Sequence, residues 1–408
     1  MHIAWSSALT KGALAAALLA SACPALANAA ASERVLYTFS GGGDGGNPAT
    51  GIVFDGSGNA YGTTVGGGSS ACGTVFELSP GGSGSYRQSV LYSFACGADG
   101  KAPHGGVTIG PDGNLYGTTV AGGTGSCSGD FCGTVFEVTA RGETVLHDFT
   151  GGDDGFGPGG AVVFDSSGNM YGTTPDGGAY SAGTVYELTP GRKGWRERVI
   201  HAFTGGSDGS TGSLGPLLVD ASGDLYGVTE LGGAHGAGTV FRMSPRGRGG
   251  WDFRTLYAFA GSPDAAFPYG GLIAGANGAL YGTTYYGGQT GAGAVFELRP
   301  QRHGWRERVL YGFSGAADGG SPTGTLAFEG SGNLLGTTSA GGNASCSCGV
   351  VFSLGVTSRR ERVLHQFAGG SDGEYPYYAL APDGAGNFLA STVAGGTGGQ
   401  GTIFEVTP

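Results

Sequence analysis

The chain has 408 residues, of which 90 are Gly and 17 Pro, so about a quarter of it punctuates or breaks regular structure. That excludes a protein of long helices, while 39% apolar and 11% aromatic residues supply more core material than a disordered chain carries. Only 12% of residues are charged, and the net charge of −11 argues against a nucleic-acid or anionic-membrane partner.

The first element is a leader. Met1, His2 and Lys11 precede an apolar run from Gly12 to Ala22, followed by Cys23-Pro24-Ala25-Leu26-Ala27. This is the order of a secretory signal, and the run is too short for a membrane span. Cleavage after Ala27 predicts a signal peptide over 1–27 and one domain over 28–408. Ala20 stands where a lipid-attachment signal favours Leu, which argues against anchoring through Cys23. No later stretch is apolar enough to span a bilayer and the chain ends at Thr407-Pro408 without an anchor, so a secreted or periplasmic monomer is expected.

From residue 35 onward the chain repeats. Val35-Leu36-Tyr37-Thr38-Phe39 recurs in segments ending at Phe94, Phe149, Phe203, Phe259, Phe313 and Phe367, with spacings of 55, 55, 54, 56, 54 and 54. Each unit holds four short runs rich in Val, Tyr, Phe and Thr, as in residues 160–164, 169–174, 183–188 and 195–203. Asp165-Ser166-Ser167-Gly168-Asn169 and Pro190-Gly191-Arg192-Lys193-Gly194 supply the two hairpin turns. Four antiparallel strands in a unit of this length make the blade of a β-propeller. The expected fold is therefore all-β, a seven-bladed β-propeller. The chain opens on the fourth strand type, Val35 to Phe39, and closes on the third, Gly401 to Val406, so the N-terminal strand should complete the last blade and remove its open edge.

Tyr61-Gly62-Thr63-Thr64 with Gly73-Thr74-Val75-Phe76-Glu77-Leu78 recurs as Tyr116 with Gly133, Tyr171 with Gly183, Tyr226 with Gly238 and Tyr281 with Gly293. Leu335-Gly336-Thr337-Thr338 and Leu389-Ala390-Ser391-Thr392 are degenerate copies. The pattern resembles the bacterial GloVer tandem repeat over essentially the whole chain after the leader. The resemblance implies an exported repeat protein of variable surface anchorage. It brings no catalytic residues.

An Asp follows each repeat Phe by five residues: Asp44, Asp99, Asp154, Asp208, Asp264, Asp318 and Asp372. These are read as structural, accepting backbone N–H groups two residues on to hold the crossing loop. Calcium suits oxygen-rich Asp/Gly loops, but each loop offers only one or two carboxylates, and no metal or other cofactor is assigned. His147, His201 and His365 occupy the place of Tyr37, Tyr92, Tyr257 and Tyr311 and read as packing residues. His104 and His235 alone fall in rim loops, and no nucleophile elbow, phosphate loop or CxxC pair occurs. Among the cysteines beyond the leader, Cys72 opens a third strand and Cys96 ends the antiparallel fourth, while Cys127 and Cys132 bracket an insertion. These two disulfides are expected; Cys346 and Cys348 are spaced to close a small ring, and their pairing is left open. Trp195, Trp251, Trp305 and Tyr86 each precede a repeat Phe by eight residues, which favours hairpin packing over a binding box.

The positions that repeat least lie on the loop rim: Asp176, Glu230, Tyr285 and Tyr286 after the second strand, and Phe267, Tyr269, Glu374, Tyr375, Tyr377 and Tyr378 before the first. Flat rings beside carboxylates suit sugar faces and hydroxyls. The expected function is a non-catalytic binding propeller for a polysaccharide or surface protein. Adjacent carboxylates among Asp176, Glu230 and Glu374 would favour a polysaccharide lyase or hydrolase instead, and a purely structural surface protein is the third possibility.

Overall fold

A computed structural model describes residues 31–48, 51–127, 132–212 and 215–408. The leader, with its cleavage site and Cys23, lies outside them. Seven antiparallel sheets follow one another, six of them built from consecutive strands and the seventh joining the first strand to the last three. Blade 3 shows the pattern: Val163–Phe164, Met170–Thr174, Thr184–Gly191 and Gly194–Ala202 run from the innermost to the outermost strand. Blades 4 and 5 each add a short strand, Ser210–Gly212 and Ala265–Pro268. Blade 7 is closed as expected, because Ser32–Thr38 pairs antiparallel with Thr402–Thr407. The fold is a seven-bladed β-propeller. Turns between strands one and two and between three and four share one face; the other connections share the opposite one.

The repeated residues account for the packing. The two middle strands are covered by neighbouring blades on both faces, so Met170–Thr174 is buried along its whole length and does not alternate. Each terminal Phe meets an aromatic ring of the next blade edge-on, from Phe39 with Phe76 at 5.2 Å to Phe367 with Phe404 at 5.1 Å. The Gly of Tyr-Gly-Thr-Thr lies under that ring: a Cβ on Gly62 would sit 2.7 Å from Phe76 Cζ. Thr hydroxyls cross between strands, Thr64 with Thr74 and Thr174 with Thr184 at 2.9 Å, which satisfies both inside the core.

The Asp loops form a second set of ties. Each Asp accepts the N–H of the residue four before it, as from Ser40 to Asp44 at 2.9 Å and from Ala368 to Asp372 at 2.6 Å. The bonds thus reach back towards the preceding strand instead of two residues on. The same carboxylates bind the Tyr or His seven residues before, with Tyr37 to Asp44 at 3.0 Å and His365 to Asp372 at 3.0 Å. That holds the end of the outer strand and the crossing loop as one unit.

Three disulfides join Cys72 with Cys96, Cys127 with Cys132 and Cys346 with Cys348. Among the described residues no helix is long and apolar enough to cross a membrane.

Candidate functional site

The innermost strands converge on the ring axis, where a cavity of about 300 Å³ is lined by every blade, through residues such as Gly51, Gly105, Ala161, Gly215, Gly270, Gly324 and Tyr378. The glycines are there because the strands nearly touch. A Cβ on Gly105 would lie 2.4 Å from the Gly160 carbonyl carbon, and one on Gly215 would lie 2.1 Å from the Gly271 nitrogen. Blade 7 breaks the pattern with Tyr378. Its hydroxyl meets His104 Nδ1 of blade 2 at 2.7 Å, and the two rings contact edge-on at 5.9 Å. Burial, then the neighbouring Tyr269 and Tyr377, raises the Tyr378 hydroxyl well above its ordinary value, and burial lowers His104. The pair is a neutral strut across the channel.

Around the mouth of this cavity most of the rim aromatics come together. In blade 5 the ring centroids of Tyr269 and Tyr285 are 6.3 Å apart, Tyr285 and Tyr286 4.7 Å, and Phe267 and Tyr286 5.7 Å. In blade 7 Tyr377 and Tyr378 are 6.5 Å apart. The two groups meet across blade 6. Burial, then the charge of Glu230 and the hydroxyls of Tyr377 and Tyr285, pushes Tyr269 up to about 12. Burial, then Tyr285, raises Tyr377, which also bonds to Ser339. Tyr286 and Tyr375 are the outward edge, 51% and 37% exposed.

Phe267 and Tyr375 are held in left-handed backbone, with φ of 57° and 59°. The equivalent positions carry Asn47, Ala102, Gly157, Thr211 and Ser321, all left-handed as well; of these only Asn and Gly adopt that conformation cheaply. The turn is needed because its N–H reaches the previous blade, Phe267 to the Ala237 carbonyl at 2.8 Å and Tyr375 to the Cys348 carbonyl at 2.9 Å. Phe267 and Tyr375 pay for this conformation as Ala102, Thr211 and Ser321 do, so the strain belongs to the blade-to-blade tie and not to the rings.

The three rim acids have separate local surroundings. Burial alone raises Glu230, with no contribution from a second acid. Glu374 turns back to accept the Gly370 N–H at 3.4 Å, and Asp176 stays in blade 3, where its carbonyl accepts the Thr174 hydroxyl at 3.0 Å. His235 is exposed in its loop. Sequence reasoning placed His104 on the rim but missed its bond to Tyr378. The column Gly105, Gly160, Gly215, Gly270, Gly324 and then Tyr378 was the available signal.

Away from the axis, Glu33, His365 and Asp372 are the one group among the described residues that brings three possible metal ligands within 4.8 Å of one another. His365 Nε2 lies 3.0 Å from Asp372 and 3.8 Å from Glu33. Tyr fills the place of this His in four other repeats and binds the Asp in the same way, so the same loop tie recurs where no His is present.

The sequence matches the Gloeobacter/Verrucomicrobia repeat over residues 25–214, 128–346 and 215–408. The chain belongs to that repeat family. No curated protein matches it. Among solved structures, this repeat protein is similar to the oligogalacturonate lyase of Vibrio parahaemolyticus, at 12% identity over 82% of this chain and 83% of that one, with a TM-score of 0.50. A protein of unknown function from Dyadobacter fermentans DSM 18053 is 12% identical over 74% of this chain and 92% of its own, with a TM-score of 0.45. TolB of Acinetobacter baumannii is 13% identical over 76% and 64%, with a TM-score of 0.43. At such identities the likeness is one of fold alone.

Proposed function

We propose that this repeat protein is an exported, non-catalytic propeller that binds a polysaccharide at the mouth of its axial channel, through Tyr269, Tyr285, Tyr286, Tyr375 and Tyr377. The observation that carries this reading is the gathering of rings from blades 5 and 7 on one arc of the mouth. Half-exposed rings offer flat faces to sugars, and Glu230 and Ser339 add polar groups among them. A glycosidase or lyase would need two acids placed about one substrate; burial alone raises Glu230 and Glu374 accepts an N–H of its own loop, which favours binding over catalysis. The leader and the disulfides support an oxidising compartment outside the cytoplasm. A surface protein is the alternative ligand.

A glycan array with polysaccharide pull-down tests the reading, using Tyr285→Ala and Tyr377→Ala as controls. Binding that falls about tenfold in each variant is expected, the loss of one stacked ring being worth roughly 1 kcal/mol or more. No retained glycan, or binding indifferent to both substitutions, overturns it.

A further inference from the structure

On the opposite face, blade 1 carries an aromatic socket that the chain leaves unfilled. At four junctions an aromatic residue of one blade's outer hairpin joins the cluster that holds an outer-strand Leu or Ile of the preceding blade. These pairs are Leu36 with Tyr86, Leu146 with Trp195, Ile200 with Trp251, and Leu256 with Trp305. The indoles also meet a Tyr of that preceding blade, Trp195 with Tyr116 at 6.1 Å and Trp251 with Tyr171 at 5.7 Å. Blade 2 cannot do this for blade 1. Its hairpin between Thr134–Thr139 and Gly142–Asp148 is only Ala140-Arg141, and Arg141 stands where the Trp would be.

Leu91, the residue left uncovered, is 38% exposed, whereas Leu36, Leu146, Ile200 and Leu256, beside the four aromatics, are part-buried; at blades 5 and 6, whose following blades carry Arg359 and Ala31 in place of the aromatic, Leu310 and Leu364 are buried in clusters that Val356 and Ala31 join. A cavity of about 850 Å³ opens beside it, with Tyr61, Ile109 and Val138 in its wall. Glu77 and Asp55 line the same cavity. In blades 3 and 5 the matching acids, Glu187 and Glu297, are paired with Arg198 and Arg308. Glu77 faces Ser89 across its strand pair and accepts only the Ser79 hydroxyl, with no ion pair to a basic side chain among the described residues. The socket thus combines an open indole-sized apolar wall with an unneutralised acid.

We propose that this socket docks a polypeptide partner presenting a Trp beside Arg or Lys. The chain's own plugs show the chemistry that fits: Gly194-Trp195-Arg196-Glu197-Arg198 fills the blade 2 socket, and Gly304-Trp305-Arg306-Glu307-Arg308 recurs at blade 4. Arg198 neutralises Glu187 within blade 3, a charge that Ser89 does not give Glu77 in blade 1, so the partner's cationic residues supply it.

The test is fluorine NMR on the full protein with a capped pentapeptide Gly-Trp-Arg-Glu-Arg carrying 5-fluorotryptophan, beside a control peptide with both Arg replaced by Glu. Saturable broadening by the first peptide is expected, at least about tenfold stronger than by the control. Leu91→Arg should weaken it about tenfold, and Glu77→Gln should erase most of the preference between peptides. Replacing Ala140-Arg141 by the blade 3 hairpin through Trp195 should abolish binding while raising the melting temperature, which keeps the test open if Leu91→Arg folds poorly. Absence of saturable broadening, or equal binding by the grafted protein, overturns the proposal.

Discussion

Glu307 on the outer strand of blade 5 shares a hydrogen bond with Asp264 of the loop leaving blade 4, so two acids meet at one blade junction. The arrangement recurs. Burial, then Asp264, pushes Glu307 up to about 8; burial first, then acids that include Asp99 and Asp318 respectively, pushes Glu143 and Glu361 up to about 7. Glu33, beside His365 and Asp372, is pushed to about 7, mainly by burial. One oxygen of each of these four is buried without a partner, as is one of Glu197.

These groups make stability fall as pH rises. The folded chain holds protons that the unfolded chain sheds above about 4.5, so the contribution is complete below that value and is lost up to about 8. The lowered Asp44, Asp154 and Asp372 act in the other direction and lose their contribution only below 3.8. A higher melting temperature at pH 5 than at pH 8.5 is expected. Glu307→Gln should flatten the slope by about 1 kcal/mol over that range, after discounting for solvent screening. An unchanged slope in the variant would remove the assignment.

Gly215→Ala should cost about 3 kcal/mol, because its Cβ would lie 2.1 Å from the Gly271 backbone nitrogen and neither inner strand can retreat without opening the ring. Urea unfolding measures it. Gly43→Ala, with nothing within 4 Å of the added carbon, is the control and should be close to neutral.

Tyr378→Phe keeps the ring and removes the hydroxyl that meets His104 at 2.7 Å. The loss should be about 1–2 kcal/mol in denaturant unfolding at pH 7, since His104 keeps a polar atom in the channel with its partner gone. A neutral result would show that water replaces the strut.

The disulfide between Cys72 and Cys96 spans 24 residues. Joint replacement by Ser should destabilise by about 3 kcal/mol, and non-reducing peptide mapping should recover the pair intact.

Chelation should leave the midpoint of thermal unfolding where it is. Both oxygens of Asp44 are occupied, one by Tyr37 and the Ser40 N–H and the other by the Ser40 hydroxyl. A drop with EDTA would identify a bound cation in at least one loop.

The blade pattern was legible because the same physics is written seven times: Val-x-Phe runs, Gly-centred turns and a terminal Phe at constant spacing. The Cys72 to Cys96 pair followed from the hairpin they flank. The ring cluster was legible only as a set of irregular positions, since Tyr285 and Tyr377 belong to blades 5 and 7 and interact only once the ring is built. Glu33, Glu143, Glu197, Glu307 and Glu361 stand six residues before five of the seven repeat Phe residues, yet their partners belong to the preceding blade, and no local pattern names them. The bond from the Gly370 N–H to Glu374 was not legible, because it depends on how the loop folds back on itself.

Arg34 of the closing strand is bound to Glu405, 371 positions away. The first structured strand to be synthesised therefore waits for the last, carrying an unpaired edge while six complete blades are made. A chain cut short anywhere in the final repeat would keep most of its blades and still present two open edges to its neighbours. Shutting the ring thus acts as a length check on the newly made protein, with self-association as the mark of a failed one.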